Sequence, residues 1–138
     1  MTTKDIRRAI IKVLQDAFPN LSVYGDEIAQ GFKEPCFFVK GLPGTQTKEI
    51  GRRYNRTTSF NIHYFAKGSD DAWDMDVKLY ELFENLYVNG DLYRGSGLTG
   101  EVVEGVLHFF VDYNFQVIRE SENYPKMQEL QGGSYLNG

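Results

Sequence analysis

Residues 53–65 decide the fold: Arg53-Tyr54-Asn55-Arg56-Thr57-Thr58-Ser59-Phe60-Asn61-Ile62-His63-Tyr64-Phe65. Tyr54, Thr58, Phe60, Ile62 and Tyr64 fall on one side of an extended chain, and Asn55, Thr57, Ser59, Asn61 and His63 on the other. Period-two alternation with β-branched and aromatic residues on the apolar side is the signature of a half-buried strand. The strand predicted here runs from about Arg53 to Ala66. With one face packed and the other wet or paired with a partner, it belongs to an antiparallel sheet covered on one side.

A second strand of the same kind lies late in the chain, over Val106–Arg119. There Leu107, Phe109, Val111, Tyr113, Phe115 and Val117 face one way, and His108, Phe110, Asp112, Asn114 and Gln116 the other. Before it, Glu101–Glu104 reads as a strand that meets it at Gly105, a residue suited to a bend or bulge. Asp91–Arg94 reads as a short strand, and Gly95-Ser96-Gly97 as a flexible turn. Near the start, Leu21–Tyr24 and Pro35–Lys40 are extended, and Gly41-Leu42-Pro43-Gly44-Thr45-Gln46-Thr47 has loop chemistry.

Two helices cover these strands. Ile6, Ala9, Ile10, Val13, Leu14 and Ala17 recur at three- and four-residue spacing, which places them on one helical stripe. Thr2 or Thr3 caps the start, Asp5 sits at the positive end of the dipole, and Phe18-Pro19 ends the helix. The second helix spans about Asp70–Tyr87 behind Ser69. Trp73, Val77, Tyr80 and Glu84 form one row, and Met75, Leu79, Leu82, Phe83 and Leu86 broaden its apolar stripe. The predicted fold is α+β, a mainly antiparallel sheet with two helices on one face, in the order α-β-β-β-α-β-β. Residues 1–120 form one domain. Residues 121–138 lose periodicity and form an extension that is either disordered or ordered on a neighbouring subunit.

Composition narrows the function classes. The chain has 138 residues, enough for one core. Ten Phe, nine Tyr and one Trp supply large apolar area, and Tyr also suits partner-facing surfaces. A formal net charge of −4 argues against a nucleic-acid-binding domain, which needs clustered cations to displace counterions. The one cysteine, Cys36, has no intrachain partner for a disulfide or a paired thiolate site, and its apolar neighbours Phe37, Phe38 and Val39 suggest a buried thiol. No stretch is apolar for long enough to span a bilayer, and the N-terminus has no signal-peptide character. The expected location is the cytosol, unless the chain is built into a larger particle.

Catalytic patterns find little support. His63 and His108 sit on polar strand faces with no Gly-x-Ser-x-Gly elbow beside either. Asp70, Asp71, Asp74 and Asp76 crowd a helix start, where acids complement the dipole, and have no metal-ligand spacing. Gly95–Gly100 lacks the Gly-Lys-[Ser/Thr] ending of a phosphate loop. No catalytic residue, metal or cofactor is expected. Arg52, Arg53 and Arg56, with Lys48 near them, are the densest cationic group in an acidic chain. They are either a solvated strand entrance, a charged contact to an acidic neighbour, or the lining of a lumen that DNA passes.

The phrases Ile-Arg-Arg-Ala-Ile-Ile-Lys-Val-Leu (residues 6–14), Phe18-Pro19-Asn20-Leu21, Pro35-Cys36-Phe37-Phe38-Val39, the strand 53–65, Leu79-Tyr80-Glu81-Leu82-Phe83 and His108-Phe109-Phe110-Val111-Asp112-Tyr113 occur in this order. Over about residues 3–120 the chain resembles the tail terminator (tail completion) family of tailed phages, prophages and phage-tail-like bacteriocins. The resemblance implies a homo-oligomeric, six-membered ring on the last ring of tail-tube protein, which stops tube growth. That ring offers a surface to the neck or head connector, or to a cap in headless particles, and in contractile tails to the sheath protein. DNA is implied only in transit through the lumen, and a membrane not at all. Candidate subunit or tube contacts are Arg52, Arg53 and Arg56, together with Tyr124, Met127, Leu130 and Tyr135 of the extension. A head–tail joining or head-completion protein shares the same small size and acidity. A small enzyme or ligand-binding protein would need a concave apolar pocket holding His63 or His108 with a carboxylate.

Overall fold

The computed structural model describes residues 2–25 and 33–118. Its elements are α1 (Thr3–Ala17), β1 (Ser22–Tyr24), β2 (Cys36–Lys48), β3 (Arg53–Phe65), α2 (Ser69–Phe83), β4 (Asn85–Val88), β5 (Asp91–Val103) and β6 (Val106–Ile118). The chain divides into two compact units: Met1–Gly44 with Thr58–Asn114, and Thr45–Thr57 with the chain from Phe115 onward. The expected extension, with Tyr124, Met127, Leu130 and Tyr135, lies outside the described residues.

The strands join in one mixed sheet of order β1-β2-β3-β6-β5-β4. β1 pairs with β2 in parallel, Val23 opposite Phe37, while β4, β5 and β6 are antiparallel neighbours. In β3, Thr58, Phe60, Ile62 and Tyr64 are buried, and in β6 so are Leu107, Phe109, Val111, Tyr113 and Phe115. These are the faces that the alternation selects. Rings knit the first unit: Phe37 lies 5.4 Å from Phe18 and 4.9 Å from Tyr64, and Phe109 meets Tyr80 edge-on at 5.1 Å.

α1 begins as its sequence dictates. Thr2 accepts the Asp5 N–H, and Asp5 accepts the Thr2 N–H in return, a reciprocal cap that satisfies two donors. Ile6, Ile10 and Leu14 are fully buried. This helix packs against both β1 and β4, the two ends of the sheet. The sheet must curl to bring both ends to one helix, which shields edges that would otherwise template foreign strands.

Several sequence expectations are corrected. Helix α2 stops at Phe83, and residues 85–87, expected as its last turn, belong to β4 (Asn85–Val88). The order gains a strand and becomes α-β-β-β-α-β-β-β. The reversal comes from Asn89-Gly90, with φ of 53° and 87°, a two-residue turn whose twist suits a hairpin. Glu104-Gly105, with φ of 51° and 78°, makes the same kind of turn between β5 and β6, so the two strands expected to meet at Gly105 do so through a hairpin turn in place of the expected bend or bulge. The expected loop at residues 41–47 is instead the continuation of β2, and most of that half is exposed.

Gly95-Ser96-Gly97 is likewise strand, with an irregular register between Ser96 and Thr99. The glycines there answer a demand for space. A Cβ on Gly95 would overlap the carbonyl oxygen of Phe83, and one on Gly100 would overlap Oδ1 of Asp76. Absent side chains let α2 lie directly on β5, an approach that no bulkier residue permits. Tyr113 fastens the same junction by donating its hydroxyl to the Phe83 carbonyl at 2.8 Å, and the Gly95 N–H donates to Glu84 at the same distance.

Candidate assembly interface

The three arginines of the sequence cluster divide into two kinds. Arg52 and Arg53 are exposed at the turn joining β2 to β3. Arg56 is half-buried: its Nε donates to Oε1 of Gln46 at 3.0 Å, and its guanidinium lies 5.9 Å from the centroid of the Phe115 ring. Gln116 donates to Glu49 at 3.3 Å nearby. Within the second unit Arg56 therefore holds neighbouring strands together, while Arg52 and Arg53 present charge to the outside. Cys36–Val39 are buried, whereas Lys40–Lys48 are exposed apart from Leu42. A strand that continues past its own core has surface to offer a partner.

Helix α2 carries a second surface that the sequence reading misplaced. Ala72, Met75, Leu79 and Phe83 face inward. Trp73, Val77 and Tyr80, expected within the apolar stripe, face outward and are 50%, 62% and 37% exposed. The signal was present in the sequence. Their row ends in Glu84 and is bordered by Asp70, Asp74 and Glu81, all exposed, and a carboxylate-lined row is an improbable core face. Tyr80 is anchored where it stands, its hydroxyl accepting the Gly100 N–H at 2.9 Å. On β4 and β5, Tyr87 and Leu92 stand opposite one another and are also exposed. Between α1 and β4 lies a groove of about 460 Å³, lined by the apolar Ala9, Val13, Tyr87 and Val88 and by the charged Asp5, Arg8, Lys12 and Asp16.

The residues screened for chemistry do not assemble into a reaction centre. His63 and His108 are cross-strand neighbours with ring centroids 4.5 Å apart. Burial, then His108 and Lys40, lower the pKa of His63, which favours the neutral ring. Its Nε2 is buried without a hydrogen-bond partner, and so is Oδ1 of Asn61. The four aspartates part company. Asp71 accepts from the Tyr64 hydroxyl at 2.9 Å and the Lys67 N–H at 3.1 Å, Asp76 is buried against β5, and Asp70 and Asp74 are exposed. Among the described residues no group of three or more His, Cys, Asp or Glu could hold a metal ion. Burial, with Glu34 adding to it, pushes the Cys36 thiol up to about 11, so it stays protonated at neutral pH and is a poor nucleophile. No helix among the described residues is long and apolar enough to cross a membrane.

What the fold and its surfaces define is a small α+β protein with exposed apolar and charged patches. The family model of the phage tail terminator protein matches residues 5–125, and the chain belongs to that family. It is thus a structural protein of phage tail assembly, a component of the tail particle that meets other tail components. No individually curated protein matches the chain. One solved structure aligns with 87% of this chain and 99% of its own, at 19% identity and a TM-score of 0.47.

Proposed function

We propose that the chain forms a homo-oligomeric ring, six-membered by analogy with its family, that seats on the last ring of tail-tube protein. There it ends tube polymerisation and provides the platform for the neck connector or, in a headless particle, a cap. The observation that carries this reading is the exposed continuation of β2 beyond its buried first residues, joined to β3 through a turn bearing Arg52 and Arg53. Such a strand pair reaches a partner without uncovering the core. Its cations suit an acidic rim on the tube, where charge sets encounter and register more than raw affinity. DNA would pass through the lumen without being held, in keeping with a net charge of −4. A contractile tail would add the sheath end as a further partner.

The test is direct. Purified full-length chain is added to growing tail tubes, and the tubes are imaged by negative-stain electron microscopy. Density at one tube end, with elongation halted in proportion to added protein, is expected. Tubes that keep lengthening would overturn the capping role, and binding to isolated connector alone would place the chain on the head side of the neck.

A further inference from the structure

Two surfaces of the first unit complement each other yet belong to different helices. On α2, Trp73, Val77 and Tyr80 form an outward apolar stripe because residues three and four apart share a helix face. Along its border, Asp70, Asp74 and Glu81 make an exposed acidic row of about 16 Å at 1.5 Å per residue. On α1, Lys4, Arg8 and Lys12 recur every four residues and are all exposed, a cationic row of about 12 Å. Arg8 and Lys12 of that row line the groove together with Ala9, Val13, Val88 and Tyr87, the last of them 67% exposed. Each surface thus pairs an apolar strip with a row of charge, and the two rows have opposite sign and similar length.

Asp5 and Asp16 also line the groove and keep their negative charge, so they offset part of the charge of Arg8 and Lys12. Asp5 is committed to the helix cap, accepting the Thr2 N–H at 3.0 Å. Asp16 pairs with Lys12 at 3.4 Å, but both side chains are more than two-thirds exposed, and such a pair is worth little and exchanges readily. A Trp half in water is an expensive surface on a monomer and a favoured anchor in an interface.

We propose, building on the ring reading above, that the outer face of α2 on one copy docks into the α1–β4 groove of the next copy. Trp73 and Val77 enter the groove beside Tyr87, and Asp70, Asp74 and Glu81 meet Lys4, Arg8 and Lys12. Because the two surfaces differ, the contact is heterologous. Each copy retains one free surface of each kind, so the assembly grows head to tail until rotation closes it.

Native mass spectrometry of the full chain tests this with two double variants. Arg8→Glu with Lys12→Glu reverses the groove, and Asp70→Lys with Asp74→Lys reverses the helix. All four sites are exposed, so the cooperative transition is expected to persist. Asp70→Lys places a cation in the first turn of α2, so that variant is expected to melt a few degrees lower. The unaltered chain is expected to form a closed oligomer. Each variant alone should be monomeric, with a dissociation constant raised on the order of a hundredfold by facing like charges. An equimolar mixture should recover oligomers in which the variants alternate, because the normal α2 of the first fits the normal groove of the second, and the two reversed surfaces fit each other. A chain that stays monomeric unaltered, oligomers that survive either reversal, or a mixture that stays monomeric would each overturn the contact. A monomeric unaltered chain would count against the ring as well, whereas oligomers that survive either reversal overturn only this contact. Capping itself is read separately, from tail length.

Discussion

Asp76 and Gly95 show what single residues do here. Asp76 is buried against β5 with Oδ1 lacking a hydrogen-bond partner, and burial raises its pKa above the usual carboxylate range. The folded state therefore holds the proton more tightly than the unfolded chain. That stabilisation is complete below about pH 4, the ordinary carboxyl pKa, and is lost as pH rises through the folded value. Asp76→Asn is accordingly expected to raise the melting temperature at pH 7, with the gain vanishing as pH falls below about 4. A gain that persists unchanged in acid would assign the effect to something other than ionisation. At Gly95 the obstacle is backbone: a Cβ would overlap the Phe83 carbonyl, which already accepts the Tyr113 hydroxyl. Gly95→Ala is expected to cost about 1–3 kcal/mol, the range for overpacking a tight site, measured by urea denaturation. No cost would mean that α2 and β5 separate easily. The sequence marks these glycines only as turn formers, because a residue needed for close approach looks the same as one needed for a turn until its neighbour is known.

At the scale of elements, alternation made β3 and β6 legible, and three- and four-residue spacing did the same for α1. The second half of β2 was hidden because Gly41, Pro43 and Gly44 suggest a loop, while pairing in a sheet overrides local preference. β4 was hidden because Leu86 continues the helical stripe of Leu79, Leu82 and Phe83, and only Asn89-Gly90 reveals the hairpin. The arginine cluster was legible as a group but not by role. Arg56→Ala removes the hydrogen bond to Gln46 and the contact with Phe115, so it is expected to cost about 1 kcal/mol of stability. Replacing Arg52 and Arg53 together should leave stability within about 0.5 kcal/mol but reduce the yield of finished particles. Particle yield equal to the unaltered chain would remove these two residues from the tube contact.

At the scale of the whole molecule, family membership carries the assembly role, and the reading of the strands carries the α+β fold. Its contact surfaces were less visible than its fold, since periodicity reports what is buried and partner chemistry must be inferred from what is left outside. Trp73 illustrates the difficulty: its spacing with Val77 and Tyr80 is that of a core row, and only its carboxylate neighbours show that it faces out. We propose that residues beyond 120 serve docking, through Tyr124, Met127, Leu130 and Tyr135, and contribute little to the core. A chain ending at residue 120 should therefore melt cooperatively near the full-length temperature while assembling poorly. Loss of the cooperative transition would place the domain boundary further along the chain.

Tail length is the property a terminator controls. Electron microscopy of particles produced without this chain should show overlong tails with a broad length distribution, since nothing would stop the tube. Tails of normal length without heads would contradict capping and move the protein to the head side of the neck, and unaltered particles would contradict an assembly role altogether.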